Sequence, residues 1–310
     1  MFQVVAANDG GGAKGIMQAV WYSHIESKLK AKMVDVVDLW VGTSVGSITS
    51  GVMASGKISA DDFFTIMDNE LHSCFKRRFR MPFFQAKYSK KPLRRILKNI
   101  LGNMKLGDVE KNLVITAASL VDGRNHFFKS YDEQDAEMNL VDAITYSWSA
   151  PVFFGSSVDF KNKQVWIDGG TGSMNSPIDE ALVEALQLDF LAEDSKNSLH
   201  LLSLGCGHKK VNNQVFKKAR KDKNFSQVMT FLDPANGGLA RVQLEDNKIA
   251  LLTALSNRFD NFSFNRVEPI LPKKLDKIDK VKFKNRYVRI ATEFNKDINL
   301  KPLRKKLERR

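Results

Sequence analysis

Three short segments carry residue types that could perform acyl transfer. Gly42-Thr43-Ser44-Val45-Gly46 sets a serine between two glycines at the end of an apolar run. That spacing lets a serine sit on a tight strand-to-helix turn with its hydroxyl presented for attack. The same residues also fit an ordinary glycine-rich loop. The catalytic reading therefore needs an oxyanion hole and a base from elsewhere in the chain.

A glycine run, Gly10-Gly11-Gly12, follows the apolar segment 2–7 and leads into Ala13-Lys14-Gly15. Successive glycines at a helix start let backbone N–H groups converge on one point, where the helix dipole favours negative charge. Such donors must be in place before a tetrahedral intermediate forms, and the amide of Val45, after the serine, would add one more. The run also satisfies G-x-G-x-x-G, the dinucleotide fingerprint, so that rival must be met. Its ribose-binding acid should end the second strand; Asp35 has the spacing but precedes that strand, and the Ser44 turn occupies its end. A phosphate-binding P-loop fails too, since no Gly-Lys-Ser/Thr follows a glycine by four residues.

A serine hydroxyl needs a proton acceptor. None of His24, His72, His126, His200 and His208 stands in a context resembling a catalytic loop, although His208 follows a strand. Asp168 is better placed, because it ends the apolar run 163–168 and is followed by Gly169 and Gly170. An aspartate in a partly apolar site can take a serine proton directly if desolvation raises its pKa. Asp-Gly is also a common turn dipeptide, so the case rests on all three segments occurring together.

The elements that must position these residues alternate. Apolar β-type runs are expected at 2–7, 36–41, 113–120, 125–130, 163–170, 199–205 and 262–269. Helical patterns are expected at 16–30, 47–56, 59–68, 139–150 and 176–188. Ser59 and Ser176 look like N-caps, the latter with Pro177 at the first helical position. This order predicts an α/β fold, a three-layer α/β/α sandwich around a mostly parallel central sheet. The glycine loop and the Ser44 turn would then share one edge of that sheet.

Bulk composition narrows the class. The chain has 310 residues, enough for one large domain, and contains no apolar run long enough to span a bilayer. Its first residues lack the pattern of a signal peptide. The two cysteines, Cys74 and Cys206, give no disulfide framework and fit a reducing, cytoplasmic setting. Neither they nor the five histidines suggest a metal site, and no cofactor is expected. A net charge of +13 points to polyanionic partners, either nucleic acid or an anionic membrane surface.

Taken in order, DGGGAKG at 9–15, GTSVGS at 42–47 and DGG at 168–170 resemble the three blocks of the patatin-like phospholipase family. Segments 51–63 and 147–154 add to the likeness, and Ser47 departs from it where many members have glycine. The resemblance implies a patatin-like, α/β-hydrolase-related domain over 1–270, with 271–310 as a basic, mostly helical extension packed on it. It implies that Ser44 is the nucleophile and Asp168 its base in a Ser–Asp dyad. Gly10, Gly11 and Gly12 would supply the oxyanion hole together with Val45, supported by Lys14, Gly15, Gly42, Gly46, Gly169 and Gly170. The implied activity is phospholipase A-type hydrolysis of membrane phospholipids at the membrane surface, without metal, with an unidentified activator as a further partner. Other lipid esters, or a catalytically silent binding scaffold, are the alternatives.

A docking surface is expected at 75–98, where Arg77, Arg78 and Arg80 interleave with aromatics including Phe83 and Phe84. Aromatics entering the interface beside cations that meet headgroups suit peripheral membrane binding. The same pattern also fits a core face backed by solvated charge. No nucleic-acid motif accompanies the basic residues, so specific nucleic-acid binding is not expected.

Overall fold

The computed structural model describes residues 1–77, 86–171, 174–191, 197–209, 238–272, 274–275 and 277–309. The first half comprises β1 (Phe2–Asn8), α1 (Ile16–Leu29), α2 (Met33–Val36), β2 (Leu39–Thr43), α3 (Val45–Ala54), α4 (Ala60–Cys74), α5 (Lys91–Leu101), β3 (Asn112–Ser119), β4 (Asn125–Lys129), α6 (Glu133–Ala136) and α7 (Leu140–Ser147). There follow β5 (Ser157–Asp159), β6 (Gln164–Asp168), α8 (Ile178–Gln187), β7 (Ser198–Leu204), β8 (His208–Lys209), α9 (Gly238–Arg258), β9 (Phe262–Val267), β10 (Ile270–Leu271), α10 (Lys284–Phe294) and α11 (Leu300–Glu308).

The main sheet runs β5-β6-β3-β2-β1-β7-β9, with β4 also paired to β3. Strands β3, β2, β1, β7 and β9 run parallel to one another; β4 and β6 each pair antiparallel with β3, and β5 pairs antiparallel with β6. The central strands are apolar in successive positions because both faces are buried. Val4, Ala6, Trp40, Leu113 and Ile115 join one hydrophobic cluster, while Val5, Ala7, Leu39, Val41 and Val114 join the other. Helices cover both faces, giving the three-layer α/β architecture.

Small residues bring α3 against the sheet. A Cβ on Gly46 would lie 2.1 Å from the Asn8 carbonyl oxygen, and Ser50 Oγ donates to the Val41 carbonyl at 3.1 Å. At the start of α4, Ser59 Oγ accepts from the Asp62 amide at 3.1 Å and the Asp62 carboxylate reaches back to Ser59, a complete capping box. Two boundaries differ from expectation. The second strand starts only at Leu39 because Met33–Val36 winds into one helical turn. Helix α8 starts at Ile178, since Pro177 has a non-helical ψ of 41° and Ser176 makes no cap.

The C-terminal helices close over the first elements. Trp21 Nε1 on α1 donates to the Ala291 carbonyl of α10 at 2.9 Å. Lys306 on α11, 7% exposed, donates to the Phe2 carbonyl at 2.9 Å and pairs with Asp38 at 2.7 Å.

Candidate active site

Strand β2 ends at Thr43 and α3 begins at Val45, leaving Ser44 alone to make the turn. Its φ of 56° and ψ of −119° lie where side-chain-bearing residues seldom sit, a strain that surrounding bonds must hold. The Ser44 amide donates to Ser147 Oγ at 2.8 Å, and Ser47 Oγ donates to the Ser44 carbonyl at 2.6 Å. The serine that departs from the family pattern therefore ties down the turn. Beneath it, Thr43 Oγ1 donates to the Met174 carbonyl at 2.6 Å and lies 2.7 Å from Thr116 Oγ1.

Sheet register aligns Asp168 with this turn. Thr43 pairs with Thr116, and the next β3 residue, Ala117, pairs with Asp168. Strand β4 pairs with both Thr116 and Ala117 on their other side, so β2 and β6 share one side of β3 and meet end to end. Ser44 follows the end of β2, beside Asp168 at the end of β6. Because β6 is antiparallel to β3, Asp168 reaches the edge from the opposite direction to Ser44. Its amide donates to the Ser149 carbonyl at 3.1 Å, and its Oδ1 accepts from the Gly170 amide at 2.7 Å. Both residues are buried, Ser44 at 7% and Asp168 at 5% exposure. No described residue hydrogen-bonds the Ser44 hydroxyl, and no histidine takes that position.

The glycine loop follows β1 and lies against the turn. A Cβ on Gly10 would stand 3.2 Å from Ser44 Cβ and 2.6 Å from Asn175 Oδ1. Gly12 adopts φ +60°, and a Cβ there would meet the Ile278 carbonyl oxygen at 2.3 Å. Of the four amides expected at an oxyanion hole, that of Gly10 already donates to the Asn175 carbonyl at 2.9 Å. Those of Gly11, Gly12 and Val45 have no hydrogen-bond acceptor among the described residues, and Val45, as the first residue of α3, has none within its helix.

The remaining glycines are points of close packing. Gly15 abuts Val45, Gly42 abuts Gly46, and Gly169 abuts Thr116. A Cβ on Gly170 would lie 3.1 Å from Asp168 Oδ1 and 2.9 Å from Asn175 Oδ1. Asn175 therefore bridges the space between the glycine loop beside Ser44 and the turn after Asp168. Lys14 is buried and donates to the Gly207 carbonyl at 2.8 Å, so it supports the loop from below.

A buried ionic cluster underlies the loop. Arg266 Nη1 and Nη2 donate to the two carboxylate oxygens of Asp9 at 2.9 and 2.5 Å. Glu268 pairs with the same guanidinium, and His208 Nδ1 lies 3.6 Å from Glu268 Oε1. Burial raises Asp9 to about 6 against the pull of Arg266. Burial opposes ionisation of Glu268 as well, yet the Arg266 charge holds it below the usual carboxylate range.

Sequence reading did not single out Ser147, Asn175 or Arg266. Ser147 and Asn175 sit in small-residue stretches with nothing to distinguish them, and Arg266 is 257 residues from Asp9. Of the expected docking residues, Arg77 is described and exposed, as is Lys76. Arg78, Arg80, Phe83 and Phe84 lie outside the described residues. Phe75 belongs to the core, edge-on to Tyr88, Trp148 and Phe154 at 5.3, 5.9 and 5.6 Å. No helix among the described residues is long and apolar enough to cross a membrane.

Residues 7–182, more than half of the chain, match the family model described as patatin-like phospholipase. The chain is 26% identical over 221 residues to a cGAMP-activated phospholipase of Escherichia coli, covering 65% of this chain and 61% of that protein. It is 26% identical over 189 residues to a cGAMP-activated phospholipase of Vibrio cholerae, covering 54% and 53%. The matches thus span less than two thirds of these curated relatives. Among solved structures, it is similar to VipD from Legionella pneumophila with a TM-score of 0.45 and 11% identity, over 93% of this chain and 66% of that one.

Proposed function

The chain belongs to the patatin-like phospholipase family, and on that footing we propose that it hydrolyses fatty-acid esters of membrane phospholipids with Ser44 as nucleophile and Asp168 as base. The observation that carries this reading is the head-to-head meeting of the ends of β2 and β6, at Ser44 and Asp168, on one side of β3, with the glycine loop packed against Ser44 Cβ.

In the proposed reaction Ser44 Oγ attacks the ester carbonyl carbon as its proton passes to Asp168. The oxyanion is held by the amides of Gly11, Gly12 and Val45, while Gly10 keeps its bond to Asn175 and sets the loop's distance from Ser44. Asp168 then gives its proton to the departing alcohol, leaving an acyl-enzyme. Water, with Asp168 again as base, releases the fatty acid and restores Ser44. Catalytic hydrogen bonds commonly tighten only once substrate is bound, so a Ser44 hydroxyl with no partner among the described residues suits a resting state.

Two relatives carry cGAMP activation in their names, which makes cGAMP the first activator to try. Exposed Lys76 and Arg77, with Arg78 and Arg80 beyond them in sequence, are proposed to hold the enzyme at an anionic membrane surface. The nucleophile is tested by intact-mass detection of a fluorophosphonate adduct. The adduct is expected on Ser44 in the wild type and absent from Ser44→Ala; labelling elsewhere, unaffected by that substitution, would remove Ser44 from the mechanism.

A further inference from the structure

The glycine loop is fixed at both ends by Leu204, Arg266 and Ile278, which lie outside the family-matched segment 7–182. Upstream, the Asp9 amide donates to the Leu204 carbonyl at 3.1 Å, and the Asp9 carboxylate is gripped at both oxygens by Arg266 on β9. Gln18 Nε2 adds a bond to the Asp9 carbonyl at 3.0 Å. Downstream, the Ala13 amide donates to the Ile278 carbonyl at 2.7 Å. The amides of Gly11 and Gly12 lie between these anchors with no acceptor among the described residues.

We infer that Arg266 is a positioning residue for the oxyanion hole, acting through its bidentate grip on Asp9 to set the direction of the Gly11 and Gly12 amides. The inference rests on the Ser44 reading and extends it to the far edge of the sheet. The Arg266 and Asp9 side chains are only 10% and 4% exposed, so the pair is dry. A single point charge could neutralise Asp9; the planar fork also fixes the orientation of the carboxylate. Asp9 is one residue from Gly10 and two from Gly11, so a carboxylate locked in rotation limits how the loop can swing. Oxyanion donors are sensitive to placement, and a displacement near 1 Å can cost about 10²-fold in rate.

The cluster also explains why the pair can be tested without loss of the fold. Glu268 is a second partner for Arg266, so Asp9→Asn leaves the guanidinium paired while weakening the bidentate grip. Arg266→Lys keeps the charge and loses the fork.

The test compares wild type, Ser44→Ala, Asp9→Asn and Arg266→Lys in fatty-acid release from phosphatidylglycerol/phosphatidylcholine vesicles. Alongside it runs inhibition by a long-chain trifluoromethyl ketone, whose adduct with a serine carries an oxyanion. Folding is followed by circular dichroism. Asp9→Asn is expected to stay folded and lose 10- to 100-fold in kcat with KM within twofold. Its affinity for the trifluoromethyl ketone should fall by the same factor, as expected for lost transition-state binding. Arg266→Lys should fall between the two.

With an active wild type and an inert Ser44→Ala, a folded Asp9→Asn that keeps wild-type kcat and ketone affinity overturns the positioning role alone. So does a fall in kcat that leaves ketone affinity unchanged. Wild-type activity undiminished in Ser44→Ala overturns the Ser44 reading itself.

Discussion

Ser44 and Asp168 meet where two strands end head to head on the same side of β3, β2 opposite Thr116 and β6 opposite Ala117. The parallel strand β2 delivers the serine at its end, and the antiparallel strand β6 delivers the aspartate at its end. The two strand ends abut, so the two side chains need only short reach to meet. This end-to-end placement suits a two-residue site, because Asp168 is carried by a hydrogen-bonded strand end.

The Ser44 turn should depend on Ser147. Ser147→Ala removes the acceptor of the buried Ser44 amide, a loss worth about 1–3 kcal/mol. Urea unfolding should show that loss, and kcat should fall with it. Ser147→Thr, which keeps the oxygen, should recover most of both.

Two neighbouring glycines should separate activity from stability. Gly10→Ala places a methyl 3.2 Å from Ser44 Cβ and against the Asn175 side chain, which can shift. It should fold and lose at least tenfold in kcat. Gly12→Ala meets a carbonyl oxygen at 2.3 Å from a backbone with φ +60°, so its thermal midpoint should drop as well.

His200 gives a pH signature. It is buried on β7, its Nδ1 is 2.8 Å from Ser263 Oγ, and burial lowers its pKa from 6.5 to about 4. Between those values the unfolded chain binds a proton that the folded chain refuses, so this residue's contribution to stability falls as pH drops through the window. The stability difference between wild type and His200→Gln, from urea melts at pH 4.5–7.5, should shift in favour of the variant as pH falls. A pH-independent difference would refute the assignment.

Lys306 should matter for stability and not for chemistry. Its bonds to Phe2 and Asp38 are nearly dry, and breaking a buried pair by removing one partner costs about 3–5 kcal/mol. Lys306→Met should lower the unfolding free energy by a figure near the bottom of that range, with kcat unchanged below the melting temperature.

The membrane proposal is tested by replacing Arg77, Arg78 and Arg80 together with Glu. Co-sedimentation with phosphatidylglycerol vesicles should weaken severalfold and become less salt-sensitive, while hydrolysis of a soluble ester stays at the wild-type rate. Unchanged sedimentation would remove this surface from the proposal.

The parts legible in the sequence were those encoded locally. Gly-x-Ser-x-Gly marked the turn because its glycines are needed for close approach, and Ser59 with Asp62 marked a helix start because both halves of the cap lie within one turn. The α/β alternation was legible because the central strands are apolar on both faces. What escaped was set by long-range pairing. The direction of β6 depends on its register against β3, and the grip of Arg266 on Asp9 joins residues 257 apart in the chain. Phe75 is buried by aromatics from two other segments, Tyr88 and the stretch holding Trp148 and Phe154. Pro177 misled the start of α8 because its backbone did not enter the helix it was expected to begin.

The measurement that most directly tests the central claim is fatty-acid release from mixed phospholipid vesicles by wild type, Ser44→Ala and Asp168→Asn, with and without cGAMP and without added metal. The account expects release by the wild type, falling by on the order of 10⁴ or more in both variants while circular dichroism shows intact folding. Release by Ser44→Ala at the wild-type rate would contradict it.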